Sequence, residues 1–405
     1  MCGDDDSTPV LPVRDAHKGL CVMSVGKSPH FYHQNLDPAR ISFARELNGL
    51  TKKELAERIN KTPSSITLYE AGKSGISFET FMSLTKALSV SPAFFSKYNP
   101  PLPLASLGQC HFRANRRVPQ IERTRAFCYA RQVFTIFSYL TEKGIHFPKV
   151  NLPIYDGSEI SERQIERLAV SVRSFMGLGL GPIPNMARLL ENAGVRIILL
   201  PAKTAKLDGF ATWFDDVPCV MIDSDSVASR MQFDYAHELA HLIFDMDSTP
   251  EDVLVERRAN RFASAFLMPA ESFRIDCPRS YRQPLFVSVK KYWYVSIAAA
   301  LYRARELGIL SENSYKSAQI IRSRAGTRIQ EEEEFAHALP SVLNQAMKLI
   351  CHDVRLDEMA QELGMDMYAL RSILELQQVE TETLDIMMPP KKNPILNFPV
   401  YRNSQ

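Results

Sequence analysis

The sequence has no Cys-x-x-Cys pair. Its seven cysteines, at positions 2, 21, 110, 128, 219, 277 and 351, are odd in number and widely scattered. That pattern excludes a disulfide framework and a cysteine zinc site, and it points to a reducing compartment. No apolar run approaches the roughly 18 residues that a membrane helix needs, so no membrane partner is expected. The N-terminus reads Met-Cys-Gly-Asp-Asp-Asp, acidic where a secretory leader would be basic. These absences together predict a cytoplasmic protein whose residues 1–34 are disordered. Net charge is nearly absent too, at +2 over 405 residues. The chain-wide charge argues neither for nor against nucleic acid, so any basic surface has to be local. The chain shows no internal repeat on the 20–50-residue scale, although the C-terminal helical unit faintly echoes the N-terminal one.

What is present suits a globular protein. Hydrophobic residues make up 45% and charged residues 23%, and the length allows two or three domains. Helical periodicity fills 36–98. Proline-rich residues 99–103 then open a linker expected to reach 110. A long helix is expected over 118–146, with shorter ones at 159–176 and 184–193. The run VRIILLP (195–201) reads as a strand. GFATWF (209–214) and CVMID (219–223) read as a hairpin closed by an Asp-Asp turn. Helices are expected near 226–245, 252–267 and 285–325. Glu331–Glu334 reads as a solvated boundary. A small helical unit covers 338–377, and a disordered tail covers 388–405. The fold class is therefore mainly α with a small β-sheet, an α+β protein.

Residues 41–95 carry the first functional pattern. Thr51 and Glu54 form a capping box. Leu55, Ala56 and Ile59 face inward, and small Ala56 allows two helices to pack closely. Asn60-Lys61-Thr62 makes a tight turn, and Pro63 opens the next helix. Ile66 and Tyr69 bury that helix, which leaves Ser64, Ser65, Thr67 and Leu68 outside, placed for a DNA major groove. Arg40, Arg45, Lys52, Lys61 and Lys73 are spaced to meet phosphates. The strings T-x-x-x-L-A, S-x-I-T-x-Y-E-x-G-K and S-x-E-T-F-x-x-L-x-x-A-L resemble the Cro/C1 (Xre) helix-turn-helix family across a five-helix unit. The resemblance implies binding to double-stranded DNA. The reading face departs from the best base-reading chemistry, because it lacks Arg, Asn and Gln. That leaves open modest sequence discrimination, or recognition by residues in the turn. A bundle used only for dimerisation or protein contact is the competing reading.

The second pattern is His237-Glu238-Leu239-Ala240-His241. Residues four apart share a helix face, so His237 and His241 can grip one Zn2+ ion while Glu238 takes a proton from metal-bound water. Chance would supply this pentapeptide on the order of 0.01 times in such a chain. Zinc needs a third protein ligand, and Glu256 on the next helix is the leading candidate. Asn260, four residues further on, is expected to accept from a ligand histidine. Asp245, Asp247, Glu251 and Asp252 are weaker candidates on the intervening loop. A solvated charge is the alternative reading of Glu256.

The glutamate-bearing helix resembles the gluzincin peptidases. HELAH followed by E-x-x-A-N-R-F-A-x-x-x-L-M-P resembles the ImmA/IrrE metallopeptidase family more narrowly. HFRANRR (111–117), residues 177–201 and residues 292–315 resemble further segments of that family. Arg258 departs from its usual glutamate. On this resemblance residues 111–330 form a metallopeptidase-like domain behind the DNA-binding one. In such peptidases an edge strand pairs with substrate, a role open to 209–214 or 219–223, although a core hairpin fits their apolar side chains better.

Gly177, Gly179 and Gly181 read as a turn rather than a phosphate cradle. His111, Arg113, Arg116 and Arg117 form a basic cluster, for DNA, an acidic partner or solvent. Residues 356–374 look like a second helix-turn-helix suited to protein contact. The leading expectation is a homodimeric transcriptional regulator with a zinc-dependent endopeptidase that cleaves a regulatory protein, such as a helix-turn-helix repressor, in a stress response. The alternative is a non-catalytic DNA-binding regulator whose peptidase-like domain senses a ligand or metal.

Overall fold

The computed structural model describes residues 35–103, 111–114, 118–155, 161–201, 207–244, 253–327, 331 and 333–389, with the side chains of 111–114, 162 and 163 left aside. The expectations for 1–34, for the distal tail, for Arg116 and Arg117, for Asp245, Asp247, Glu251 and Asp252, and for the side chains of His111 and Arg113 lie outside the described residues. Among the described residues the molecule is mainly helical with one four-stranded sheet.

Four helices and a 3-10 turn build the N-terminal bundle. They are α1 (Ala39–Leu47), α2 (Lys52–Arg58), α3 (Pro63–Glu70), α4 (Phe78–Leu88) and the turn Pro92–Phe95. The fifth element is thus a 3-10 turn, not an α-helix. Each local signal has a physical role. Thr51 and Glu54 satisfy each other's backbone amides in a capping box. Asn60 takes the left-handed conformation, with φ 52°. Thr62 caps α3, and Pro63 sits where no amide is needed. Ile41, Leu55, Ile66, Leu84 and Phe95 fill the bundle core.

Residues 99–103 do not behave as a free linker. The Asn99 amide donates to the Ala93 and Phe94 carbonyls. The Arg40 guanidinium donates to the Pro100 carbonyl at 2.5 Å. Arg131 donates to the Pro103 carbonyl at 3.1 Å. Arg131 lies on α5 (Gln120–Glu142), the long helix. Its guanidinium also covers the Phe43 ring at 5.5 Å, and Cys128 of α5 belongs to the bundle core. The bundle and α5 therefore share one buried interface.

Beyond α5 come α6 (Glu162–Phe175) and α7 (Met186–Asn192), then strands β2 (Arg196–Leu200), β3 (Leu207–Phe214) and β4 (Val217–Asp223). A further strand, β1 (His111–Ala114), precedes α5. The sheet order is β1-β3-β4-β2, with β2 parallel to β4 and the other pairs antiparallel. Asp215 and Asp216 both have positive φ, at 45° and 65°, and close the β3–β4 hairpin tightly. Pro218 pairs with Trp213, one residue before β2 joins β4 at Cys219, so its missing amide costs no bond to β2.

Alternate residues face two cores, as the period of two requires. Ile197, Ala211, Val220 and Ile222 face α8 (Ala228–Phe244) and α9 (Val253–Leu267). Ile198, Leu200, Phe210 and Met221 face α5 and the C-terminal helices. The expected helical stretch 285–325 is three helices, α11 (Gln283–Trp293), α12 (Ile297–Glu306) and α13 (Glu312–Arg324), preceded by α10 (Ala270–Asp276).

The C-terminal unit comprises α14 (Val342–Ile350), α15 (Leu356–Glu362), α16 (Met367–Leu376) and α17 (Thr381–Met387). It runs ten residues past the expected end at 377 because Leu384 and Met387 complete the core it shares with α5. Within the glutamate run before it, Glu333 is exposed as expected of a solvated boundary, but Glu331 is not. Glu331 accepts from Arg322, Lys290 and the Ile297 and Ala298 amides. At Glu331 the buried cations, and the two helix amides that the Ser296 cap does not reach, override the preference of a charge for water. The Gly177–Gly181 loop is a turn clamped from inside, since buried Arg173 donates to the Gly179 and Gly181 carbonyls.

Candidate metal centre and nucleic-acid interface

Helix α8 carries the metal pattern through the middle of the molecule. His237 and Glu238 are fully buried, and His241 nearly so. The four-residue spacing sets the two imidazoles edge-to-face on one side of the helix, with ring centroids 4.8 Å apart. Their Nε2 atoms stand 3.0 Å apart. Helix α9 packs across α8 and brings in Glu256, with one carboxylate oxygen 3.5 Å from His237 Nε2 and the other 3.4 Å from His241 Nε2. These three are the set of possible ligands that converges among the described residues.

The donor set suits zinc on geometric grounds. Ligands about 2.0–2.1 Å from a tetrahedral zinc stand roughly 3.3–3.4 Å from one another. The three observed separations bracket that value, and two imidazole nitrogens with one carboxylate are donors zinc accepts. Burial alone would raise the Glu256 carboxyl. Hydrogen bonding from His237 and His241, with their charge, overrides burial and holds it well below the usual carboxylate range. Glu256 keeps 31% of its side chain exposed, so the cluster opens to solvent on that side.

Glu238 lies against the sheet. A methyl group placed on Gly209 would stand 3.4 Å from Glu238 Oε1, 3.1 Å from Ile222 Cδ1 and only 2.7 Å from the Met221 carbonyl oxygen. Glycine is thus what lets β3 approach both β4 and this carboxylate. Gly209 was not flagged from sequence; an isolated glycine inside a strand pattern was the available signal.

Asn260 does not join the cluster. It is exposed, and its amide donates to the Glu256 carbonyl of its own helix at 2.8 Å. Four residues on from Glu256 is the spacing at which a side chain can fold back onto a helix carbonyl, and here that local bond prevails. Neither hairpin strand is a free edge, since β3 and β4 are both interior. The edges are β2 and the unexpected β1.

In the bundle, Ile66 and Tyr69 turn α3 inward while Ser64, Thr67 and Leu68 are exposed and Ser65 is half-buried. Lys61, Thr62 and Lys73 are exposed beside them. Lys52 reaches over this face, 3.3 Å from Thr67 Oγ1 and 3.4 Å from Glu70. Arg45 and Arg40 depart from expectation. Arg45 is buried, donates to Glu70 at 2.6 Å and to the Leu50 carbonyl at 2.9 Å, and so ties α1 to α3. Arg40 is buried under the 3-10 turn, where its guanidinium lies over Phe94. Glu70, the partner that removes Arg45 from the surface, is the acidic residue of the Tyr-Glu-x-Gly string.

Residues 190–305 match the protein family described as the IrrE N-terminal-like domain, and residues 41–95 match the family described as helix-turn-helix. No curated protein matches the chain. The first segment contains all three converging ligands and Glu238; the second contains α2–α4 and α1 from Ile41 on. Among the described residues no helix is long and apolar enough to cross a membrane.

Proposed function

From a chain that fuses an Xre-type helix-turn-helix domain to an IrrE-type metallopeptidase-like domain, we propose a DNA-bound regulator that acts as a zinc-dependent endopeptidase. The carrying observation is the convergence of His237, His241 and Glu256, beside a glutamate buried one residue along the same helix. His237, His241 and Glu256 hold the metal, and Glu238 is the catalytic base. Bound zinc would supply a Lewis acid for a water and for the scissile carbonyl.

The chain's own groups do the rest. Glu238 accepts the proton of the attacking water at a carboxylate oxygen and returns it to the departing amine. Its seat between α8 and Gly209 keeps bulk water from that carboxylate. Lys52, Lys61 and Lys73 meet DNA phosphates, while Thr62, Ser64, Ser65, Thr67 and Leu68 face the groove. Arg45 supports that surface from within. The substrate is a regulatory protein of the cytoplasm, such as a helix-turn-helix repressor, and the regulator works as a homodimer on paired half-sites in a stress response.

The test is Glu238→Gln beside His237→Ala, with metal content, DNA binding and cleavage of candidate repressors measured on each. Glu238→Gln should keep zinc and DNA binding and lose about 10²–10⁴-fold in cleavage, the range for a general base. His237→Ala should lose zinc. Promoter control unchanged in Glu238→Gln would instead mark the domain as a sensor, and a metal-free wild type would refute the zinc centre.

A further inference from the structure

The chain itself occupies the β3 edge with β1 and bonds to the β2 edge at one residue. On the β2 side, Gln377 acts as one residue of a neighbouring strand. Its Oε1 accepts from the Leu199 amide at 2.9 Å, and its Nε2 donates to the Leu199 carbonyl at 2.8 Å and to the Tyr129 hydroxyl at 3.2 Å. Gln377 is almost fully buried, so this edge is closed at Leu199.

On the other side β1 lies antiparallel along β3. His111 pairs with Ala211, Phe112 with Phe210 and Ala114 with Leu207. The register slips between Phe112 and Ala114, so Asp208 and Gly209 of β3 together oppose the single residue 113. That is a β-bulge, where ladder bonding is disrupted. It falls at Gly209, the residue that lies against Glu238. The covering strand is therefore least firmly held where the proposed base sits. Among the described residues it runs over His111–Ala114 and covers Leu207–Ala211 of β3.

Extended peptides bind by adding a strand to a sheet edge. Strands in a sheet lie about 4.8 Å apart. A peptide paired with β3 would run one spacing from Gly209. A peptide paired with the outer side of β1 would run about 9.6 Å from it, two spacings away. A base must come within about 3 Å of the water it activates. Of these two edges the β3 edge lies nearer Glu238, by one strand spacing, and β1 already fills it.

We propose that β1 is a built-in competitor of the peptide substrate: it occupies the β3 edge beside Glu238 and must peel away before a peptide can pair there. This rests on the peptidase reading above.

The experiment uses the zinc-loaded full chain carrying His111→Cys and Ala211→Cys, positions directly opposite each other across the pair. Oxidation locks β1 to β3; a phosphine reductant, which spares zinc, frees it. Binding of two probes is measured by calorimetry in each state. Acetohydroxamate needs only the metal, and a blocked tripeptide hydroxamate needs the metal and the edge. The tripeptide probe should bind at least ten-fold more weakly to the locked form, with acetohydroxamate unchanged. A second chain with residues 111–114 replaced by Gly-Ser-Gly-Ser should bind the tripeptide probe more tightly than wild type. Equal tripeptide affinity in locked and reduced forms, with acetohydroxamate bound in both, overturns the competitor. Failure of wild type to bind either probe overturns the zinc reading, and the competitor with it.

Discussion

Glu334 caps the helix that carries the metal pattern, accepting from the Ser229 amide at 3.0 Å and from the Ser229 hydroxyl at 2.9 Å across 105 residues of chain. The same carboxylate accepts from Lys290 at 2.6 Å, and Lys290 is fully buried. The segment leading to the C-terminal helices therefore fixes where α8 begins, two turns before His237. Glu334→Ala leaves the Ser229 helix amide without this acceptor and the buried Lys290 ammonium with Glu331 alone. A loss of about 1–3 kcal/mol follows, since an unsatisfied buried donor costs that much. Urea unfolding of the two proteins measures it. An unchanged midpoint would show that water replaces the carboxylate at no cost.

The basic residues of the bundle separate into two classes with different signatures. Lys52, Lys61 and Lys73 stand on the α3 side, whereas Arg45 is buried against Glu70. Each lysine-to-alanine change should weaken binding to specific and random duplexes alike, and lower the slope of log affinity against log salt by about 1. Arg45→Ala should instead destabilise the bundle by about 3 kcal/mol, because it takes the closer partner from largely buried Glu70 and leaves it only Lys52 at 3.4 Å. Salt-dependent titrations beside thermal melts distinguish the two. Arg45→Ala with full stability and a reduced salt slope would return that residue to the surface class.

How much of this was legible in the sequence depends on range. Thr51 with Glu54, Pro63 after Thr62, and the Asp215-Asp216 turn act over a few residues, and their chemistry decides local backbone geometry on its own. The His237–His241 spacing is equally local. Glu256 was legible because a second helix with a correctly spaced acid followed at once. Asn260 was misread because spacing along a helix cannot tell a side chain that reaches across from one that folds back on its own carbonyl. Arg45 was misread because its partner lies 25 residues on, in another helix. Gln377 on Leu199 and Glu334 on Ser229 join positions more than 100 residues apart. Nothing local marks them, since a glutamate run reads as solvated until the buried cations around it are known.

Gly209→Ala tests the close approach of strand and base. The added methyl would stand 2.7 Å from the Met221 carbonyl, so the hairpin has to shift, and 3.4 Å from Glu238 Oε1. His237, His241 and Glu256 lie on α8 and α9, away from that contact. Zinc content should therefore hold while cleavage of a protein substrate falls at least about ten-fold, as a misplaced base predicts. Metal analysis and turnover on the same preparation decide it. Normal turnover would mean that the carboxylate does not depend on the bare strand.

Glu166 supplies a pH dependence that can be worked out in sign. Both its oxygens accept from Arg303, at 2.6 and 2.8 Å, and Arg261 adds a third bond at 3.2 Å. Burial alone would raise this carboxyl, but Arg303 and Arg261 more than offset it, so its pKa lies below the ordinary 4.5. A depressed carboxyl contributes stability that is present above the unfolded value and lost as pH falls through the folded one. Arg303 is fully buried, so protonating Glu166 leaves Glu306 as the remaining carboxylate beside it. The wild-type advantage over Glu166→Gln should be largest above about pH 5 and shrink steadily as pH drops below 4.5. Urea titrations of both proteins from about pH 7 down to pH 3.5 measure that difference directly. A gap that stays constant over the range would mean the Arg303 pairing contributes through packing rather than charge.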